Sequence, residues 1–276
     1  MTPAQTVLFS DLDGTLFNSR GEISRENREA LRRYMAAGGR FAIATGREPL
    51  NALGFLGDLP QNAPAVVVNG CAVYDFSRGE YSRCWFLDRD RLVPFLGSML
   101  REFPAMELQA YTEQGIRYCT PRETAHPQLL AMHRPCEFTT LDALGDASFF
   151  KCFLYAPDRF EDALMARIRA GEADGIFRHV PGTTDVGGPI TYHELLPRDV
   201  SKGTALRWLR THPDLAGRTF IAAGDFWNDY ELLKEADVSV APANAIDEIK
   251  ALCTHTTVSN NDHVMKHIIE DILPTL

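Results

Sequence analysis

The chain has 276 residues, 45% hydrophobic, 24% charged and 10% aromatic, with a formal net charge of −9. That balance belongs to folded globular proteins and excludes a disordered chain; at this length it fills one large domain or two smaller ones. The acidic balance argues against the phosphate-neutralising surface that nucleic-acid binding needs, and no run approaches the roughly 18 unbroken apolar residues of a membrane helix.

The opening MTPAQTVLFSD has no basic n-region and too short an apolar run for a secretory signal, so a cytoplasmic protein is expected. The six cysteines, Cys71, Cys84, Cys119, Cys136, Cys152 and Cys253, form no CxxC pair, which fits reduced thiols rather than a disulfide framework or zinc site.

Strand-length apolar runs recur along the chain: VLF at 7–9, FAIA at 41–44, AVVV at 65–68, FIAA at 220–223 and VSV at 238–240. Nearly all apolar, they suit parallel strands covered on both faces, and the helical patterns between several of them predict βαβ units. Ser24 is placed to cap the first helix. Ala30, Leu31, Tyr34 and Met35 form its apolar stripe, and Gly38-Gly39 stop it. From 84 to 188 the rhythm changes to more polar strand candidates (MELQAY, IRYCT, FFKCFLYA) and turn clusters (EQG, PGTT). The expectation is a catalytic core in two segments, 1–83 and 189–276, with a separate α/β or α+β unit inserted at 84–188.

Ligands of open parallel sheets bind beyond the carboxyl ends of the strands, and polar motifs stand there. Asp11-Leu12-Asp13-Gly14-Thr15 follows the first strand and Thr45-Gly46-Arg47 the second. Asn69-Gly70 follows the third, and Gly224-Asp225-Phe226-Trp227-Asn228-Asp229 follows FIAA. Crowded carboxylates raise one another's pKa values unless a cation compensates, and all-oxygen ligation by aspartates suits Mg²⁺ beside a phosphate. Lys202, just after the expected N-cap Ser201, sits where a cation opposes the helix dipole, so Asp11 and Asp229 or a bound phosphate should compensate it. His263 and His267 have i, i+4 spacing but no Glu after the first His, and read as an ordinary helix face; His133-Arg134-Pro135-Cys136 reads as loop.

These four motifs, DLDGTL, TGR, SKG and GDFWND, in this order and spacing, resemble those of the haloacid dehalogenase superfamily. Within it the chain is similar to the Cof-type phosphatases with a large inserted cap. The resemblance covers the whole core and matches the insert by position and size. It implies a Rossmann-like parallel-sheet core with an inserted α/β cap that closes over the crevice and reads the organic part of the substrate. It also implies a phosphatase of small phosphorylated metabolites, such as sugar phosphates or phosphorylated cofactors, in a monomer or homodimer. Asp11 would be the nucleophile that becomes an aspartyl-phosphate, and Asp13 the acid and base. Mg²⁺ would be held by Asp11, the Asp13 carbonyl and Asp225, with Asp229 beside it. Lys202, Thr45, Gly46 and Asn228 would bind phosphoryl oxygens, and Arg47 and Asn69 would face the substrate or the insert. A phosphomutase using the same nucleophile and a non-catalytic binding protein are the alternatives.

Overall fold

A computed structural model of the chain describes all residues except His133, Arg134 and 185–189. In chain order its principal elements are β1 (Thr6–Ser10), α1 (Arg25–Ala36), β2 (Arg40–Ile43), α2 (Pro49–Leu56), β3 (Ala65–Val67), β4 (Ala72–Asp75) and β5 (Glu80–Cys84). Next come α3 (Arg89–Glu102), β6 (Glu107–Thr112), β7 (Gly115–Tyr118), α4 (Pro127–Met132), β8 (Cys136–Phe138), β9 (Lys151–Tyr155), α5 (Glu161–Ala173), β10 (Arg178–Thr184) and β11 (Ile190–Leu196). The chain closes with α6 (Lys202–Leu209), β12 (Thr219–Ala223), α7 (Tyr230–Glu235), β13 (Val238–Ala241), α8 (Asp247–Leu252), β14 (His255–Thr256) and α9 (Val264–His267). They divide into two compact units: Met1–Arg83 with Val200–Leu276, and Cys84–Asp199.

The first unit is built on a parallel sheet in the order β14-β13-β12-β1-β2. Every residue of β1 is buried, as expected of a strand inside a parallel sheet. The third apolar run meets the parallel sheet in the expected parallel sense, through the bridge of Ala44 to Val66, and as β3 it also pairs antiparallel with β4. Helix α1 starts where the sequence indicates, the Asn27 N–H donating to Ser24 Oγ at 3.2 Å, and it buries Ala30, Leu31 and Tyr34. Gly38 follows its end at φ 89°.

The second unit carries a sheet in the order β10-β11-β9-β6-β7-β8, antiparallel except for β7 with β8. Alternate residues Leu108, Ala110, Cys152, Leu154 and Leu195 share a core with Leu92, Leu96 and Met99 of α3 and Leu164 and Ile168 of α5. Two expectations are corrected here. PGTT is not a turn: Pro181 to Thr184 pair in register with His193 to Ile190. Strand β10 is the sheet's edge, where a proline is tolerated, and a side chain at Gly182 would overlap the Tyr192 ring. The insert also runs past residue 188, because β11 hydrogen-bonds to β10 and β9 and so carries the second unit on to Asp199.

His263 and His267 have separate partners. His263 Nδ1 lies 2.9 Å from Ser24 Oγ, and His267 Nδ1 lies 2.6 Å from Thr257 Oγ1, so each imidazole meets a different hydroxyl. In the His133-Arg134-Pro135-Cys136 stretch, Cys136 opens β8, while His133 and Arg134 lie outside the described residues.

Candidate active site

The residues of the candidate site stand in the first unit, around the carboxyl ends of β1, β2 and β12. The Asp11 N–H donates to the Ala223 carbonyl at 2.9 Å, extending the β1–β12 ladder one residue beyond the strand and fixing where Asp11 leaves the sheet. The chain then coils through Leu12–Leu16, with Gly14 at φ 78°. Glycine is required there twice over: the left-handed backbone disfavours a side chain, and a Cβ would overlap the Asp225 carboxylate. Thr15 donates its hydroxyl to Asp225 Oδ1 at 2.9 Å, and Asn244 donates to the Gly14 carbonyl at 2.8 Å. These two contacts escaped the sequence reading. Thr15 stands inside a recognised motif, whereas Asn244 belongs to none and acts on a backbone carbonyl.

Lys202 is the first residue of α6, whose cap is Ser201, with the Thr204 N–H donating to Ser201 Oγ at 3.2 Å. Its ammonium is fully buried and donates to Asp11 Oδ1 and Asp229 Oδ1, both at 2.6 Å. The local conflict with the helix dipole is therefore answered by two carboxylates. Gly203 allows this helix start to pack tightly, since a Cβ there would overlap the Glu231 carbonyl. The other Asp229 oxygen, Oδ2, accepts the N–H groups of Asp225 at 3.0 Å and Phe226 at 3.3 Å. Asp229 thus ties Lys202 to the loop that presents Asp225.

On the other side of the site, the Thr45 N–H donates to the Val66 carbonyl and the Thr45 hydroxyl accepts the Arg47 N–H at 3.2 Å. Val68 and Asn69 hold left-handed φ values of 51° and 56°. For β-branched Val68 this is strain of about 1–3 kcal/mol. It delivers the Asn69 amide into a tight space: Asn228 Nδ2 donates to Asn69 Oδ1 at 3.4 Å, and a Cβ on Gly46 would approach the same oxygen. Gly46, Asn69 and Asn228 therefore converge. Arg47 reaches Asp13, its Nε and Nη2 donating to the two carboxylate oxygens at 2.9 and 2.8 Å.

Asp11, Asp225 and Asp229 each offer a carboxylate oxygen within 4.8 Å of the others. Burial raises the Asp11 carboxyl well above the usual range, with repulsion from Asp229 and Asp225 adding to it and Lys202 opposing. Burial, followed by repulsion from Asp229, pushes Asp225 up to about 7, against the hydrogen bond from Thr15. Burial alone lowers a lysine, but the neighbouring Asp11 and Asp229 more than offset it and raise Lys202. Three carboxylates facing one ammonium leave an excess of negative charge that a hard divalent cation fits.

A family model described as haloacid dehalogenase-like hydrolase matches residues 8–269. Among curated relatives, the 5-amino-6-(5-phospho-D-ribitylamino)uracil phosphatase YwtE of Bacillus subtilis is 27% identical, over 95% of this chain and 96% of its own. The HMP-PP phosphatase of Yersinia pseudotuberculosis is 28% identical over 87% and 84%. The crystal structure of TM0651 from Thermotoga maritima superposes with a TM-score of 0.79 at 23% identity, covering 98% of this chain and 97% of the other. The chain belongs to the haloacid dehalogenase-like hydrolases and is an enzyme of their phosphatase kind, with an α/β fold in which a parallel-sheet core is joined to a separate, largely antiparallel unit.

Proposed function

We propose that this chain is a Mg²⁺-dependent phosphatase of small phosphorylated metabolites that works through an aspartyl-phosphate on Asp11. The observation that carries the proposal is the buried Lys202 ammonium, 2.6 Å from both Asp11 and Asp229, in a cluster that also holds Asp225. A buried cation shared by two carboxylates fixes the Asp11 carboxylate in one orientation, as a nucleophile requires.

In the reaction, an Asp11 oxygen bonds to phosphorus as the ester P–O bond breaks, and the departing oxygen takes a proton from Asp13. The oxygen of a water then bonds to phosphorus, the bond from phosphorus to Asp11 breaks, and Asp13 takes the water's proton. Inorganic phosphate leaves with both aspartates restored. Lys202, the Thr45 hydroxyl, the Gly46 N–H and the Asn69 and Asn228 amides bind the transferring oxygens, where charge develops. The Asp11 and Asp225 carboxylates and the Asp13 carbonyl, with Asp229 beside them, would hold Mg²⁺, which when bound would supply the positive charge that lets a carboxylate meet a phosphate dianion.

The names of the two curated relatives support phosphorylated metabolites as the substrate class. The test is phosphate release from p-nitrophenyl phosphate and from a panel of phosphorylated sugars and pyrimidines, with Mg²⁺ and with EDTA. Release that depends on the metal and is lost in Asp11→Asn is expected. Full turnover by Asp11→Asn contradicts the proposal. Transfer of the phosphoryl group to a second hydroxyl of the substrate, in place of release, identifies a mutase instead.

A further inference from the structure

Arg47 is held through both its backbone and its side chain. Its backbone is fixed by the N–H donated to Thr45 Oγ1 at 3.2 Å and by the Val68 N–H donating to its carbonyl at 3.0 Å. Its Nη1 donates to Asn51 Oδ1 at 2.9 Å, and its guanidinium lies over the Phe55 ring, 4.4 Å from the centroid. Asn51 is itself held at the start of α2, where its N–H and that of Leu50 donate to the carboxylate of the cap residue Glu48. Asp13 is the opposite kind of residue. Its side chain is 61% exposed, on a turn that pivots at Gly14, and among the described residues the hydrogen bonds to its carboxylate come from Arg47 alone. A fixed guanidinium fork therefore meets an exposed carboxylate in a bidentate pair, the geometry that sets orientation as well as attraction.

We propose that Arg47 is a positioning residue for Asp13, holding its carboxyl group in the orientation from which, protonated, it gives a proton to the departing oxygen and, as the carboxylate, takes the proton of the attacking water. This assignment rests on the reading of Asp13 as the acid and base. It differs from a substrate-binding role for Arg47, in which the guanidinium would be directed at the phosphate or the organic group. Because both oxygens of Asp13 are engaged by two N–H groups of one planar fork, a lysine, which offers a point charge, cannot reproduce the arrangement.

The test compares kcat/KM for phenyl phosphate and p-nitrophenyl phosphate, two esters of similar shape whose leaving groups differ in basicity. The more basic phenolate depends more on a proton donated during departure. Asp13→Asn is expected to cost phenyl phosphate about tenfold or more beyond its effect on p-nitrophenyl phosphate. Arg47→Ala is expected to show the same extra loss on phenyl phosphate, Arg47→Lys to recover only part of it, and the double variant to add nothing further to the Asp13→Asn discrimination. Equal loss on both esters by Arg47→Ala and Arg47→Lys marks a purely structural role and overturns the proposal. So does a rise in KM that is independent of leaving group and additive with Asp13→Asn, which marks a substrate contact. If Asp13→Asn does not discriminate between the esters, the assignment of Asp13 as acid fails, and the positioning role of Arg47 fails with it. If Asp13→Asn discriminates and the Arg47 variants do not, only the positioning role fails.

Discussion

Replacing Lys202 with methionine keeps most of the side chain's volume and removes its charge from a fully buried position. Each Nζ to carboxylate contact is 2.6 Å long, which at an effective dielectric constant of ~20 is a gross attraction of about 6 kcal/mol. Most of that is offset by the cost of burying the charges, and removing one partner from a buried ion pair leaves a net loss of about 3–5 kcal/mol. The loss should depend on pH. Asp11 and Asp225 already hold their protons above the usual range, so without the ammonium the cluster is relieved at low pH by protonation and is fully strained at high pH. Urea unfolding of Lys202→Met and wild type in EDTA is expected to show the full loss near pH 8 and a clearly smaller one near pH 5.5. Turnover of p-nitrophenyl phosphate should fall about a hundredfold or more. A loss below about 1 kcal/mol at pH 8, or equal losses at both pH values, would refute the reasoning that Lys202 is the principal counter-charge of this cluster.

Other perturbations probe the same cluster. Gly14→Ala places a side chain at φ 78° and against the Asp225 carboxylate; a stability loss of about 1–2 kcal/mol from the backbone alone, with weaker Mg²⁺ binding by calorimetry, is expected, and unchanged binding contradicts the role of Asp225 as a ligand. Because Asp225 is pushed up to about 7, the metal must displace its proton below that pH. Apparent Mg²⁺ affinity should weaken by about tenfold per pH unit below neutrality, with proton release seen in buffers of different ionisation heat. The same shift has a sign for the metal-free fold. A carboxyl with a raised folded value binds its proton more tightly when folded, so its contribution to stability is greatest at low pH. That contribution is lost as pH rises from about 4, the unfolded aspartate value, to the folded value. Urea midpoints in EDTA across that window should fall with rising pH.

The parallel sheet was legible because strands covered on both faces are mostly apolar, as the runs in β1, β2, β12 and β13 are. The site was legible because such sheets bring their strand ends together, so aspartates distant in sequence could be read as one cluster, and Lys202 announced itself by its conflict with the dipole of α6. What stayed hidden depends on tertiary partners. Pro181-Gly182 has turn chemistry, yet pairing with β11 and the space needed by Tyr192 make it strand. Strand β11 itself carries polar residues among apolar ones, and its hydrogen bonds to β9 and β10, rather than its composition, assign it to the second unit. The Arg47–Asp13 pair joins two residues 34 positions apart, a juxtaposition that neither motif specifies alone.

The central claim is that Asp11 becomes phosphorylated during turnover. Acid quenching in the steady state, followed by borohydride reduction, converts an aspartyl-phosphate to homoserine, which mass spectrometry of the peptide containing Asp11 locates. The account predicts homoserine at position 11 in samples quenched with substrate and Mg²⁺ and none in samples without substrate. Efficient phosphate release with no modification at position 11, or with the modification at another aspartate, would contradict it.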